Sequence, residues 1–290
     1  MVTGASGLIG RSLVPVLVGR DEVRACVRRP ESAETLRALG AKVAVGRLED
    51  SDALAEVLKG VYSLIHLIGG PNQPDGDALL AANHASTLTA LAAAREAGVR
   101  RFLLMSVPGA HPDADQPFLR AKGLAEEAVA NSGLEHAIIR STHVYGLGGL
   151  WFTAAVEGAL ASPSFMVGDG EQEIAPVWAD DVAAVLAAAD DREGDLAGTW
   201  GLEGPDVVAA LGLHEYLAAG GSSPLALAPG KGAERLTSAL GVSVSITAVE
   251  HFAARSRADA PDAASEFGVA LTPLETGLRL TMERAAAAGR

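Results

Sequence analysis

Three residues into the chain begins the run Thr3-Gly4-Ala5-Ser6-Gly7-Leu8-Ile9-Gly10, with glycines at intervals of three directly ahead of a helical pattern. Few short segments restrict a fold so strongly. Glycine permits a tight turn and close backbone approach, while the following helix aims free N–H groups and the positive end of its dipole at whatever occupies the turn. A diphosphate matches that arrangement, so Gly4, Ser6, Gly7, Leu8, Ile9 and Gly10 are expected to line a phosphate site. A bare strand-to-helix turn is the competing reading, and the strand–helix–strand context favours the ligand site over it. Because Met1, Val2 and Thr3 alone precede the first glycine, the leading strand is short against an average of about 5–6 residues. Either the start lies further upstream or the strand is a stub, and some loss of stability is expected.

Up to Tyr145 the sequence alternates short β-branched runs with Ala/Leu/Glu/Arg segments. Strands are expected at Val23–Arg28, Lys42–Val45, Tyr62–Ile68, Arg101–Ser106 and Glu135–Arg140. Helices are expected at Leu8–Val18, Glu31–Leu39, Asp52–Leu58, Asp77–Ala97 and Pro117–Asn131, with Gly40, Gly60, Gly98 and Gly133 as stops. Nearly continuous Val, Ile and Leu in the strands fits a parallel sheet covered on both faces. The expectation is an α/β, Rossmann-type doubly wound domain over residues 1–145, with the sheet rejoined by about residues 175–201. After Tyr145 the rhythm breaks, and residues 146–290 read as a smaller C-terminal substrate lobe. Its features include a helix at Trp151–Leu160 and another at Asp180–Ala189, started by Asp180 and Asp181. Trp151 and Phe152 are expected to wall an apolar pocket, and Trp178 to pack between the lobes.

Composition removes several function classes. Of 290 residues, 49% are apolar, so disorder is excluded as the main state. Lys and Arg number 23 against 36 Asp and Glu, a formal charge of −13, and an acidic chain lacks the basic face that a nucleic-acid partner requires. Cys26 is the sole cysteine, which leaves neither an intrachain disulfide nor a cysteine zinc site. Histidine spacing shows no metal pattern. No uncharged apolar run reaches about 18 residues, so a cytoplasmic protein without a membrane partner is expected.

The second strand ends at Val27-Arg28-Arg29-Pro30, close to the place where a dinucleotide's adenosine ribose lies in such a fold. An acidic residue there would accept from a ribose 2′-hydroxyl and repel a 2′-phosphate, whereas Arg28 and Arg29 accommodate the phosphate. The cofactor expected is therefore NADP(H).

Further segments carry a family likeness. They are the glycine loop, His66-Leu67-Ile68-Gly69-Gly70, Asn83, Phe118-Leu-Arg-Ala-Lys122, Arg140-Ser-Thr-His143-Val-Tyr145-Gly146 and the stretch from Gly168 to Asp181. In order and spacing the chain resembles the short-chain dehydrogenase/reductase superfamily, specifically its atypical and extended members of epimerase/dehydratase-like, NmrA-like and isoflavone-reductase-like type. The resemblance implies that Asp50, Leu67, Ile68, Gly69 and Asn83 also line the cofactor site. It implies that Lys122 grips the nicotinamide ribose or, as in isoflavone-reductase-like members, acts as base. The sequence departs from the family at three places. Phe118 stands where the acid–base tyrosine is found, Ser106 lies two residues early for the serine, and Arg47 replaces an aspartate that faces adenine. Proton management would then fall to Lys122, His143, Tyr145 or Ser106. The resemblance thus implies an NADP(H)-dependent oxidoreductase or isomerase of a small apolar carbonyl or enone substrate. Its NmrA-like side implies a nucleotide-binding regulator without turnover. A homodimer through the Ala-rich helix around Asn83 is a further expectation.

Overall fold

The computed structural model describes residues 1–46, 50–220 and 223–287. Arg47, on which one departure from the family rests, lies outside the described residues. The first half supplies β1 (Val2–Thr3), α1 (Leu8–Val18), β2 (Arg24–Val27), α2 (Glu31–Ala38), β3 (Lys42–Val45), α3 (Ser51–Leu58) and β4 (Ser63–His66). Then come α4 (Gly76–Leu80), a π turn (Ala81–Ala85), α5 (Ser86–Glu96), β5 (Arg101–Ser106), α6 (Pro117–Ala130), β6 (Glu135–Ser141) and β7 (Val144–Tyr145). The chain continues through α7 (Leu150–Leu160), β8 (Phe165–Val167), β9 (Glu173–Ile174), β10 (Val177–Trp178), α8 (Ala179–Asp191) and β11 (Ala197–Leu202). It ends with β12 (Val208–Ala209), α9 (Ala210–Leu217), β13 (Leu225–Leu227), α10 (Pro229–Leu240), α11 (Ile246–Phe252), α12 (Ala263–Glu266) and α13 (Leu274–Ala287).

Seven parallel strands form the main sheet in the order β11-β6-β5-β4-β1-β2-β3. The order reverses at β1, the switch point beyond which doubly wound sheets bind their ligands. Alternation along each strand feeds two helical layers. Ile65, Leu103, Met105, Ala137 and Ile139 join the core under α1 and α8. Leu64, Phe102, Leu104 and Ile138 join the core under α3, α5 and α6. Gly40, Gly60, Gly98 and Gly133 each take a positive φ, between +74° and +100°, and so end their helices as expected. Residue 197 opens β11, which pairs with β6 over six residues and returns the later chain to the edge of the sheet.

Two helix expectations are corrected. The single helix foreseen at Asp77–Ala97 is interrupted by the π turn, because Asn83 turns inward to bond the loop at Gly70. Trp178, not an aspartate, occupies the N-cap of α8. Asp180 and Asp181 sit in the first turn, where their charge suits the dipole, and their oxygens serve other partners. Asp180 accepts from Ser12 and Arg284, while Asp181 takes the Thr272 N–H and hydroxyl at 2.8 and 2.9 Å. Asp259 makes a second tie between the later segments and the sheet, accepting from Gly109 N–H at 2.7 Å and from Arg140 at 3.2 Å.

Central as it is, β1 has two residues, and a cavity of about 500 Å³ opens beneath it, between Val23 and Arg24 on one side and Tyr62 and Ser63 on the other. The Met1 ammonium donates to the Ser63 carbonyl at 2.6 Å, and burial lowers its pKa to about 6. A short β-branched extension placed ahead of Met1 is expected to lie in this slot, keep that bond as an amide and remove the buried charge. The melting temperature should rise, at about 2–4 °C per kcal/mol for a chain approaching this size. An unchanged melting temperature would show that the slot is not available to a strand.

Candidate functional site

The glycine loop is built for close approach. Gly4 takes φ +70°, and a Cβ there would stand 3.0 Å from the Leu67 carbonyl. A Cβ on Gly10 would meet the Ala5 carbonyl oxygen at 2.5 Å. Gly7 is the extended N-cap of α1 and no side chain caps the helix. Helical bonding begins with Arg11 N–H to the Gly7 carbonyl at 3.0 Å, so the amides of Leu8, Ile9 and Gly10 precede the ladder and suit an anion. Ser6 and Gly7 are exposed. Leu67, Ile68 and Gly69 follow β4 directly beside this loop, and Gly69 takes φ +121°.

Arg28 and Arg29 are exposed at the carboxyl end of β2 and carry no ion pair among the described residues. Asp50, expected to line the cofactor site, stands at the start of α3. Its carboxylate caps α3, accepting from the Asp52 and Ala53 amides, both at 3.1 Å. That capping gives the aspartate a local role at the start of the helix.

At the ends of β4 and β5 the polar groups converge on a buried amine. Lys122, on α6, donates from Nζ to the Met105 carbonyl at 2.9 Å. Asn83 Oδ1 accepts from Gly70 N–H at 2.8 Å, and its amide donates to the Leu79 and Gly70 carbonyls. A Cβ on Gly69 would fall 2.4 Å from Asn83 Oδ1 and 3.1 Å from Lys122 Nζ. The π turn is therefore what brings the amide, the amine and the bare glycine together. Burial lowers the Lys122 pKa to about 8, with Glu126 opposing the shift. His66 bonds Thr3 Oγ1 through Nδ1 at 2.9 Å, and burial followed by the Lys122 charge lowers its pKa to about 3. Ser106 is buried at the end of β5 with no partner for its Oγ among the described residues. Gly123, next to Lys122, lets the loop after β5 cross α6, since a Cβ would meet the His111 backbone.

An aromatic group borders this amine. Phe118, 1% exposed, lies 4.9 Å centroid to centroid from His251 on α11, edge to face. His251 in turn lies 5.5 Å from His143, whose other side stacks on Trp151 at 4.8 Å. Burial lowers the His143 pKa to about 3, aided by His251 and opposed by a hydrogen bond with the Ala254 backbone. Tyr145 does not join the group. Its ring packs with Phe152, and a Cβ on Gly277 of α13 would fall 2.0 Å from its hydroxyl. Burial, with Asp181 and Asp206 nearby, raises its pKa, so it is a packing residue beneath the lobe. Sequence reading gave His251 no role, because none of the segments that carry the family likeness includes it.

Beyond Trp151 lies a cavity of about 100 Å³, bordered by Met166, Leu213 and Phe252, with Gln172 and His214 as its polar members. Trp151 is thus shared between the histidine pair and this apolar space.

Residues 4–192 match a family model described as NAD(P)H-binding. A Streptomyces griseus protein named (4-alkanoyl-5-oxo-2,5-dihydrofuran-3-yl)methyl phosphate reductase is 29% identical over 211 residues, which is 72% of this chain and 69% of that protein. Further curated relatives are matched over 34% to 68% of their own length. Among solved structures, MoeE5 with UDP-glucuronic acid and NAD has TM-score 0.76 at 22% identity, covering 99% of this chain and 98% of that one. The Citrobacter triphenylmethane reductase with NADP(H) has TM-score 0.75 at 20% identity, covering 97% and 98%. Both structures share the fold.

Two outcomes follow from this geometry. Gly69→Ala should displace Asn83 or Lys122 and weaken nucleotide binding at least about tenfold, the equivalent of about 1.4 kcal/mol. A fluorescence titration reads this, and unaltered affinity would mean that the three groups do not frame the ligand. The second outcome concerns acid. His66, His143 and His251 titrate at about 3, 3 and 4 when folded, against 6.5 for free imidazole. The unfolded chain binds more protons across that window, so stability should fall as pH drops from about 6.5 towards 4. Urea midpoints measure the slope, His143→Gln should flatten part of it, and a profile flat in both proteins would refute the assignment.

Proposed function

The chain belongs to the NAD(P)H-binding family, and from that premise we propose that it is an NADP(H)-dependent oxidoreductase or isomerase acting on a small apolar carbonyl or enone compound. The observation that carries this reading is the Lys122 ammonium, held by the Met105 carbonyl and facing the Gly69 gap at the carboxyl edge of the sheet. In this reading the amides of Leu8 and Ile9 hold the diphosphate and Arg28 and Arg29 neutralise the extra phosphate. Lys122 and Asn83 position the ribose next to the reactive ring. The nicotinamide, when bound, supplies or accepts a hydride at the substrate carbon. The apolar cavity beyond Trp151 supports a substrate with hydrocarbon bulk, in keeping with relatives named for alkanoyl and triphenylmethane compounds. No helix among the described residues is long and apolar enough to cross a membrane.

One observation favours a second reading, a nucleotide-binding regulator without turnover: Phe118 places a ring with no proton beside Lys122 on α6. Titration with NADPH and NADH, followed by a carbonyl and enone panel, separates the two. NADPH should bind more tightly than NADH. Arg28→Ala with Arg29→Ala should weaken NADPH alone by at least about tenfold, as expected when charge-assisted bonds of about 1.5–3 kcal/mol are lost. Lys122→Ala should abolish reduction. Preference for NADH would overturn the cofactor assignment, and tight NADPH binding with no member of the panel reduced would favour the regulator.

A further inference from the structure

His251 is the polar side chain at the centre of the aromatic group with no assigned work. It reaches the site from α11, far along the chain from Lys122 and Phe118 on α6 and from His143 after β6, so three separate elements present rings or charge to one point. The other polar candidates there are engaged or closed off. His143 is stacked on Trp151, shares a hydrogen bond with the Ala254 backbone and has an Nε2 sealed from solvent. Ser106 Oγ is sealed as well. Lys122 spends one hydrogen on the Met105 carbonyl. His251 is half-buried, and its ring makes no hydrogen bond among the described residues. Its neighbour Phe252 lines the apolar cavity, so the imidazole stands at the join between the amine and the space for a hydrocarbon.

We propose that a ring N–H of His251 donates to the carbonyl oxygen of the substrate and is the proton donor of the reduction. This rests on the oxidoreductase reading above. With the ring neutral near pH 7, since burial and the Lys122 charge hold its pKa at about 4, a nitrogen-bound hydrogen is available as a fixed, uncharged donor. A carbonyl carbon that receives a hydride from the reduced cofactor passes its π pair to oxygen. The oxygen then takes the His251 proton as the N–H bond breaks, while the second ring nitrogen takes a proton from a water in the half-open cleft, and the hydroxide left there is neutralised by a proton from bulk solvent. The ring ends as its other neutral tautomer and returns by proton exchange with water, and the net change is one hydride from the cofactor and one proton from solvent added across the carbonyl. Neutral imidazole as an electrophile of this kind is chemically sound. Lys122 then keeps its charge throughout and acts on position and field, not as the source of the proton.

The test does not depend on turnover. The enal p-dimethylaminocinnamaldehyde absorbs further to the red when a donor polarises its carbonyl, and the NADP⁺-loaded protein cannot reduce it. Wild-type protein with NADP⁺ should shift the dye to the red. His251→Phe should abolish the shift, and His251→Gln, which keeps an N–H, should retain part of it. Phe118→Tyr in the His251→Phe background should restore part of it, because a phenol on that ring enters the space His251 borders at 4.9 Å. With a substrate found in the panel, His251→Phe should lower kcat by about 10²–10⁴ and leave KM little changed. No red shift in the wild type, or a shift unaffected by His251→Phe, overturns the proposal. Failure of the oxidoreductase reading shows elsewhere, as tight NADPH binding without reduction of any compound.

Discussion

A buried ammonium sets the terms for everything around it. Lys122 is 5% exposed, yet it carries three hydrogens, of which the Met105 carbonyl receives one. Glu126, one turn further along α6, would be its natural counter-ion, but that carboxylate is committed to Arg140 at 2.7 Å. The positive charge is therefore only partly compensated by protein and bears on its neighbours. Burial depresses His66 and His251 and this charge adds to the effect, while a small residue at Gly69 leaves the amine open space before it. Desolvating an amine costs free energy that structure alone does not return. A ligand with hydroxyl or phosphate oxygens would return it, which ties the stability of the site to its occupancy.

The sheet edge and the later segments meet through a few directed contacts laid over apolar packing. Arg140 joins Glu126, Asp259 and the Ala110 carbonyl, so a strand, a helix and two loops share one guanidinium. Asp181 fixes the approach to α13 through Thr272, and Trp178 lies under the Arg284 guanidinium at 5.0 Å. Trp151 then divides the interior in two, with polar rings on one side and an apolar space on the other. The chemistry and the room for a substrate are adjacent because one indole belongs to both.

Local signals in the sequence account for much of the scaffold. Lys42–Val45, Arg101–Ser106 and Leu8–Val18 are bounded as the apolar runs and their flanking residues indicate, because continuous β-branched stretches and helix-stopping glycines act within a few residues. The glycine loop was legible for the same reason. What escaped depends on contacts between distant residues. Nothing in the apolar helix around Asn83 announces a π turn, since its cause is the Gly70 backbone across the cleft. The pair Asp180 and Asp181 has the right charge for the capping role first given to it, and its partners decide otherwise. Tyr145 and His143 stand two residues apart, but α13 and α11 receive them into different neighbourhoods. His251 could not be placed at all without the packing of α11 against α6.

Asp259 reaches across the rim of the cleft to the Gly109 amide and to Arg140. Its carboxylate is partly exposed, at 34%, so water and dissolved ions compete for it directly. The tie between this late segment and the sheet thereby acquires a sensitivity to ionic strength that the apolar packing behind it does not share.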